Sequence, residues 1–288
     1  MTQKVDYTAL KRGGFIRQKQ EDRFSLRLHV AGGALTADDL RGAAIVADRY
    51  GNGTVHLTAR QGVEIPFVRL EDVEAVKADL EQLGLRAGAI GPCGRTVTAC
   101  PGAATCPSGN IDAQNLAQKL DARYYGAEMP HKFKFGATGC MNNCLKAEEN
   151  DVGIKGACAV RWLPDACISC GLCQKACRDD ACHLVDGTVQ VDYDACISCG
   201  RCAKACPTDT WETAPGYALF FGGQFGSQLI KGQPAVPVVK TEEQLFRITD
   251  AAVEYFRAHG TRGERFGKML ARIGREDFDA EIAKAYEG

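Results

Sequence analysis

Fifteen of the 288 residues are cysteines, and most of them fall into series with regular spacing. Cys167, Cys170, Cys173 and Cys177 stand in one series, and Cys196, Cys199, Cys202 and Cys206 repeat it 29 residues later. The repeat extends to the neighbours: Asp165-Ala-Cys-Ile-Ser-Cys-Gly-Leu-Cys173 recurs as Asp194-Ala-Cys-Ile-Ser-Cys-Gly-Arg-Cys202, an internal duplication. A C-x2-C-x2-C loop wraps three thiolates around one corner of an iron–sulfur cube, and Gly171 and Gly200 permit the tight backbone this needs. A disulfide framework belongs to small exported domains in oxidising compartments. Structural zinc normally takes two C-x2-C pairs, not overlapping triplets with single followers.

The two series have the run of bacterial two-cluster ferredoxins, in which the fourth cysteine of each serves the other cluster. Cys167, Cys170, Cys173 and Cys206 are therefore expected to hold one [4Fe–4S] cluster, and Cys196, Cys199, Cys202 and Cys177 the other. Pro207 follows the second series, whereas Arg178 stands at the matching place in the first, which alters the turn but removes no ligand. A separate quartet, Cys100 and Cys106 in a C-x5-C and Cys140 and Cys144 in a C-x3-C, has no zinc-finger spacing and can supply four thiolates to a third cube.

With this quartet the chain resembles the sirohaem-containing sulfite and nitrite reductases. The resemblance implies that the quartet holds a [4Fe–4S] cluster and that Cys144 also bridges to the sirohaem iron. Leu57-Thr-Ala-Arg-Gln61 looks like the family's T-x-R-Q segment, which assigns Arg60 to the active site and Gln61 to the cofactor. Gly94-Arg95-Thr-Val-Thr98 looks like its second arginine segment, giving Arg95 with Thr96 and Thr98, and His131-Lys-Phe-Lys134 looks like its K-x-K, giving Lys132 and Lys134. Asn142, Gly222 and Gly223 complete the cofactor-binding residues so implied, and Glu264-Arg-Phe-Gly267 extends the likeness to the tail. The nearest pattern is the small, single-repeat branch of anaerobic sulfite reductases with a built-in ferredoxin module. It implies six-electron reduction of sulfite to sulfide, with electrons delivered through that module from a donor protein or subunit. Nitrite reduction to ammonia suits the same pocket, and an electron-relay or sirohaem-binding subunit without turnover is the non-catalytic alternative. Two-copy members of the family draw the cluster and the basic residues from different halves. A single-copy chain is therefore expected to pair with itself or a homologous subunit across a two-fold.

The residue types suit the chemistry on their own account. Sulfite and nitrite are anions whose reduction consumes protons; Arg60 and Arg95 can fork onto oxyanion oxygens, and Lys132 and Lys134 supply point charges and protons. On a strand, Lys132 and Lys134 share a face. Any one of these cations alone would read as a solvated surface charge, and sirohaem, itself rich in carboxylates, must claim some of them. His131 beside the lysines is a candidate proton relay. Cys93, Cys158 and Cys182 are left over and read as small buried hydrophobes, with an extension of the cluster chemistry as the alternative for Cys182, five residues after Cys177.

An α+β fold must position these residues. Phe24 to Val30 alternates as a half-buried strand; Thr36 caps a helix with Leu40, Ala44, Ile45 and Ala47 as its stripe. Strands are expected at 54–58, 63–67 and 85–89, and a helix at 70–83 with Val73, Val76, Leu80 and Leu83 inward and Gly84 as its stop. The order β-α-β-β-α-β is that of a ferredoxin-like unit. A helix at 112–123, short strands at 133–135 and 152–154, a helix at 241–259 with Thr241-Glu-Glu-Gln244 as its capping box and Gly260 as its stop, and a last one at 263–273 follow. The expected division is a ferredoxin-like half-domain at 1–92, a sirohaem and [4Fe–4S] domain at 93–160 resumed at 213–288, and the inserted two-cluster ferredoxin domain at 161–212. Net charge is −1, so nothing favours nucleic acid or a membrane surface, and Met1 to Leu10 lacks a signal pattern. A cytoplasmic location is expected.

Overall fold

Two sheets, each with its own apolar core, organise the computed structural model, which describes residues 5–288. The first four residues of the Met1–Leu10 stretch lie outside the described range. The N-terminal unit runs α1 (Tyr7–Arg12), β1 (Phe15–Arg17), β2 (Arg23–Arg27), α2 (Ala37–Tyr50), β3 (His56–Leu57), β4 (Val63–Arg69) and α3 (Val73–Gln82). Its antiparallel sheet has the order β1-β2-β4-β3. Phe24 and Leu26 alternate inward from β2 and meet Val63, Ile65 and Val68 of β4 and Val73, Val76 and Leu80 of α3. The chain reverses after α3 at Gly84, whose φ of 69° suits glycine, and Leu85 donates back to the Leu80 carbonyl at 2.8 Å.

Two expectations need correcting here. Residues 85–89 form no strand; they contribute one bridge, Ala87 to Leu28, because β1 occupies the same edge of β2. Gly14 and Gly88 crowd together there: a Cβ on Gly14 would lie 2.8 Å from the Gly88 carbonyl oxygen. The inward face of α2 is Gly42, Ala43, Val46 and Ala47, while Leu40, Ala44 and Ile45 face outward. Small residues turn inward because the helix lies close over its neighbours, with Leu85 only 3.0 Å from where a Gly42 Cβ would be. The expected cap holds: Thr36 Oγ1 accepts from Asp39 N–H, and Asp39 accepts from Thr36 N–H.

The second sheet has the order β10-β7-β6-β5, from β5 (Thr98–Ala99), β6 (Phe135–Thr138), β7 (Val152–Trp162) and β10 (Trp211–Phe221). β5, β6 and β7 are parallel, and α4 (Ala113–Tyr124) makes the crossover from β5 to β6. β7 is far longer than the expected 152–154 and pairs antiparallel with β10 from Val152–Phe221 to Trp162–Trp211. α7 (Glu242–His259), α8 (Phe266–Ile273) and α9 (Glu276–Glu287) complete this core, where Phe133, Phe256, Phe266 and Phe278 meet with ring centroids 5.4–5.5 Å apart. α9 has no counterpart among the expected elements.

Between the paired ends Trp162 and Trp211 lies a cysteine-rich unit with α5 (Leu172–Ala176), a hairpin of β8 (Cys182–Val185) and β9 (Thr188–Val191), and α6 (Arg201–Lys204). Its small core joins Cys173, Cys182 and Val189 to Cys158, Val160 and Trp211 of the ladder.

Candidate active site

The quartet sits where two neighbouring parallel strands end. Cys100 directly follows β5, with Cys106 in the turn beyond, and Cys140 and Cys144 follow β6, so both loops leave the same edge of the sheet. They pack backbone to backbone: Asn110 N–H donates to the Gly139 carbonyl at 2.6 Å and Gly139 N–H to Cys100 Sγ at 3.0 Å. A Cβ on Gly139 would lie 2.6 Å from Gly102 Cα, and one on Gly156 of β7 would lie 2.2 Å from the Gly139 carbonyl oxygen, so the approach depends on glycine. Cys100 and Cys140 are half-buried, while Cys106 and Cys144 are exposed.

Beside Cys144 opens a cavity of about 390 Å³ whose lining brings together Arg60, Thr98 and Lys134 with Cys144, and adds Lys146, Glu149, Asn150 and Phe225. Arg60 is fixed by donating to Asn150 Oδ1 at 2.6 Å and to the Thr96 carbonyl at 3.1 Å. Burial, reinforced by the cations of Arg95 and Arg265, lowers its pKa to about 10. Lys134 is pulled much further from the ordinary lysine range, to about 7, first by burial and then by the Arg60 charge. Its backbone N–H donates to Asp151, whose carboxylate is fully buried and takes two bonds from Arg265 at 2.8 and 2.9 Å. Asn150, Asp151 and Arg265 thus form the floor beneath the cations. Asp151 and Asn150 are not among the expected site residues; the signal available was an Asn-Asp pair just before the apolar start of a strand at Val152.

Lys132 and Lys134 flank Phe133, which is buried in the core; the strand expected at 133–135 begins only at Phe135, so both lysines precede β6. Only Lys134 lines the cavity; neither Lys132 nor Arg95 does. Burial lowers the pKa of Lys132 and of Arg95, and burial followed by the Lys132 charge lowers that of His131. Arg95 Nε is buried with no hydrogen-bond partner in the protein. Gln61 clamps β5 through both halves of its amide, donating to and accepting from Ala99 at 2.9 Å. Asn142 is exposed and accepts from Arg201 at 2.6 Å. Gly222 and Gly223 stand outside the cavity lining. Gly223 lets the chain cross the Glu148–Asn150 turn that does line it, since a Cβ there would lie 2.0 Å from the Glu148 carbonyl oxygen.

The duplicated series build two further cavities. One is lined by Cys167, Cys170, Cys173 and Cys206, and the other by Cys177, Cys196, Cys199 and Cys202, with Cys182 as a fifth thiol. The fourth cysteine of each series lines the cavity of the other. Ser169-Cys-Gly171 and Ser198-Cys-Gly200 share one conformation, with φ of 54° and 71° at the first pair and 55° and 72° at the second. Hydrogen bonds reach the sulfurs: Ala181 N–H to Cys177 at 3.3 Å, and the Thr210 hydroxyl to Cys206 at 3.1 Å. Burial opposes ionisation of Cys206, but the bonds from Thr210 and Thr208 outweigh it and bring its thiol down to about 7. Among the described residues no three Cys, His, Asp or Glu side chains converge on a point as a single ion demands. Cys158 and Cys182 are buried, as expected of leftovers, and Cys93 is half-buried.

Fold and site define a class: residues 90–288 match the nitrite and sulphite reductase 4Fe–4S domain, residues 16–83 match the nitrite/sulfite reductase ferredoxin-like half domain, and the chain belongs to this family. Among particular relatives, a subunit of the anaerobic sulfite reductase of Salmonella typhimurium is 35% identical over 186 residues, covering 57% of this chain and 55% of the relative. The coenzyme F420-dependent sulfite reductase of Methanocaldococcus jannaschii is 30% identical over 272 residues, covering 93% of this chain and 44% of the relative. The chain thus spans about half the length of these curated relatives. The solved structure of dissimilatory sulfite reductase I shares the fold, with a TM-score of 0.74 at 19% identity over 91% of this chain and 69% of that one. No helix of the described residues is long and apolar enough to cross a membrane.

Proposed function

We propose that this chain is the catalytic core of a sirohaem-dependent sulfite reductase that carries out the six-electron reduction of sulfite to sulfide. The observation that carries the reading is the single cavity in which the last thiol of the quartet, Cys144, faces Arg60 and Lys134. The donor set fits the implied groups: four thiols on two packed loops suit a [4Fe–4S] cluster, and a roomy cavity with cations and one exposed thiol suits an anionic tetrapyrrole held by Cys144. When bound, sirohaem would supply a redox-active iron open to a small anion. Arg60, pinned by Asn150 and the Thr96 carbonyl, holds a fixed positive charge toward that anion, and Lys134 both attracts it and can release a proton near neutral pH.

The cysteine-rich unit acts as a two-cluster ferredoxin domain that feeds electrons inward from a donor protein or subunit. Its support is the sorting of the eight series cysteines four and four between two cavities, the second also lined by Cys182, which with the quartet makes three [4Fe–4S] clusters. Assembly is with a second copy or a homologous subunit; Leu57 and Phe225, both large and more than half exposed, flank the cavity segments and would be covered there. The test is anaerobic purification with absorption spectroscopy, iron and sulfide analysis, and turnover with sulfite and with nitrite under one reductant. A sirohaem spectrum, about twelve cluster irons and sulfide production are expected. Absence of sirohaem overturns the reading, preference for nitrite transfers it to ammonia formation, and a loaded, active monomer in dilute solution overturns the pairing.

A further inference from the structure

Small-core contacts join both halves of the cysteine-rich unit to β7 and β10, but its hydrogen bonds to the quartet loops come from one of its two cysteine loops. Cys199 forms a parallel bridge with Cys158 of β7, and Cys158 N–H donates to the Ser198 carbonyl at 2.7 Å. A Cβ on Gly200 would lie 2.8 Å from that of Cys158, so the loop backbone rests directly on the strand. Arg201 then donates to Asn142, between Cys140 and Cys144, and Lys204 reaches the carbonyls of Pro107 and Gly109 at 3.4 and 3.3 Å, just beyond Cys106. Asn110 joins the two sides. Its side-chain amide donates to the Gly156 and Cys199 carbonyls at 3.3 and 3.4 Å, while its backbone N–H donates to Gly139, the neighbour of Cys140. Among the hydrogen bonds of the described residues, none ties the Cys167–Cys173 loop to the body, and Cys170 there is exposed.

We propose that the two thiol sets of the unit are not equivalent: the Cys177, Cys196, Cys199 and Cys202 set is the inner station that serves the quartet, the Cys167, Cys170, Cys173 and Cys206 set is the outer one that meets the donor, and Asn110 and Arg201 are positioning residues that hold inner station and quartet at transfer distance. This rests on the three-cluster reading given above. Each transfer moves one electron, oxidising the donor cluster by one and reducing the acceptor by one, with no bond made and no proton moved; the external source is a low-potential one-electron donor. Tunnelling falls steeply with distance and survives better along hydrogen bonds than across open gaps. The Cys199 carbonyl, the Asn110 side chain and the Gly139–Cys140 peptide make a continuous short path from one thiol set to the other.

The test uses the full chain loaded with its clusters, reduced with dithionite, freed of reductant and mixed with sulfite, with the clusters followed by freeze-quench electron paramagnetic resonance. Asn110→Ala combined with Arg201→Ala is expected to retain iron, sulfide and cluster potentials but to slow reoxidation of the unit's clusters severalfold, because the hydrogen-bonded contact between the two thiol sets is opened. Asn110→Ala with Arg201→Lys should recover part of that rate. Cys170→Ser, which weakens the outer set, should still reoxidise its inner cluster at the parent rate, whereas Cys199→Ser should leave the outer cluster reduced. Parent-like reoxidation in the double alanine variant, or of the outer cluster in Cys199→Ser, overturns the assignment. A parent protein whose iron analysis lacks three clusters overturns the functional reading itself, and that outcome is distinct from a fully loaded protein whose rates ignore the variants.

Discussion

Raising the pH through neutrality should switch off the part of anion binding that depends on Lys134. Burial first, and the Arg60 cation second, hold this lysine at about 7, far below the usual range of its kind. The charge is therefore present below that pH and lost above it: about half the molecules carry it at pH 7, roughly a tenth at pH 8 and roughly a hundredth at pH 9. Affinity that depends on this charge should be flat on the acid side and weaken about tenfold per pH unit on the alkaline side. The assay is anaerobic titration of the sirohaem-loaded protein at fixed ionic strength, reading the dissociation constant from the visible spectrum. Nitrite is the better probe, because it does not itself titrate near neutrality. Lys134→Met should give weak, pH-independent binding, and Lys134→Arg should bind without the inflection because guanidinium stays charged. Arg60→Gln removes the second cause and should move the inflection upward while lowering affinity overall. A parent protein with flat affinity from about pH 6 to 9, or Lys134→Met retaining the inflection, would refute the reasoning.

Two further outcomes concern the site's support. Asp151→Asn leaves the buried Arg265 without its carboxylate and should cost about 3–5 kcal/mol in chemical denaturation; Asp151→Leu combined with Arg265→Met should be markedly more stable than either single change. Gly223→Ala, whose Cβ would meet the Glu148 carbonyl oxygen, should fold poorly or lose the cavity wall, whereas Gly13→Ala, with its nearest atoms at 3.5 Å, should leave the midpoint of thermal unfolding almost unchanged.

The thiol pattern was legible because ligand spacing is local: one loop must wrap one cube, so Cys167 to Cys173 and Cys196 to Cys202 announce themselves in seven letters each. Caps were legible for the same reason, as at Thr36 and at Thr241, where the Thr241 hydroxyl accepts from Gln244 N–H. The Gln244 side chain returns one residue further back than a capping box asks, to Lys240 N–H. β7 was not legible beyond its first residues. Buried on both faces over most of its length and carrying Gly153 and Gly156, it shows no period-two alternation. The inward face of α2 was misread because Gly42 and Ala43 win their places by closeness, which hydrophobicity does not encode. Arg60, Thr98, Lys134 and Cys144 met in one cavity as expected from their segments, while Arg95 and Lys132 did not join them there. The floor of Asp151 and Arg265 joins residues 114 positions apart, a pairing that only the folded chain makes visible.

The two ends of the cysteine-rich unit, Trp162 and Trp211, are cross-strand partners in an unbroken ladder. A chain in which a tight hairpin turn replaced residues 163–210 would keep every strand pairing of the sheet, so the unit is a cassette plugged into a socket. On the two-cluster reading proposed above, different electron wiring could be fitted at this point, by descent or by design, provided it renewed the contacts to the quartet loops.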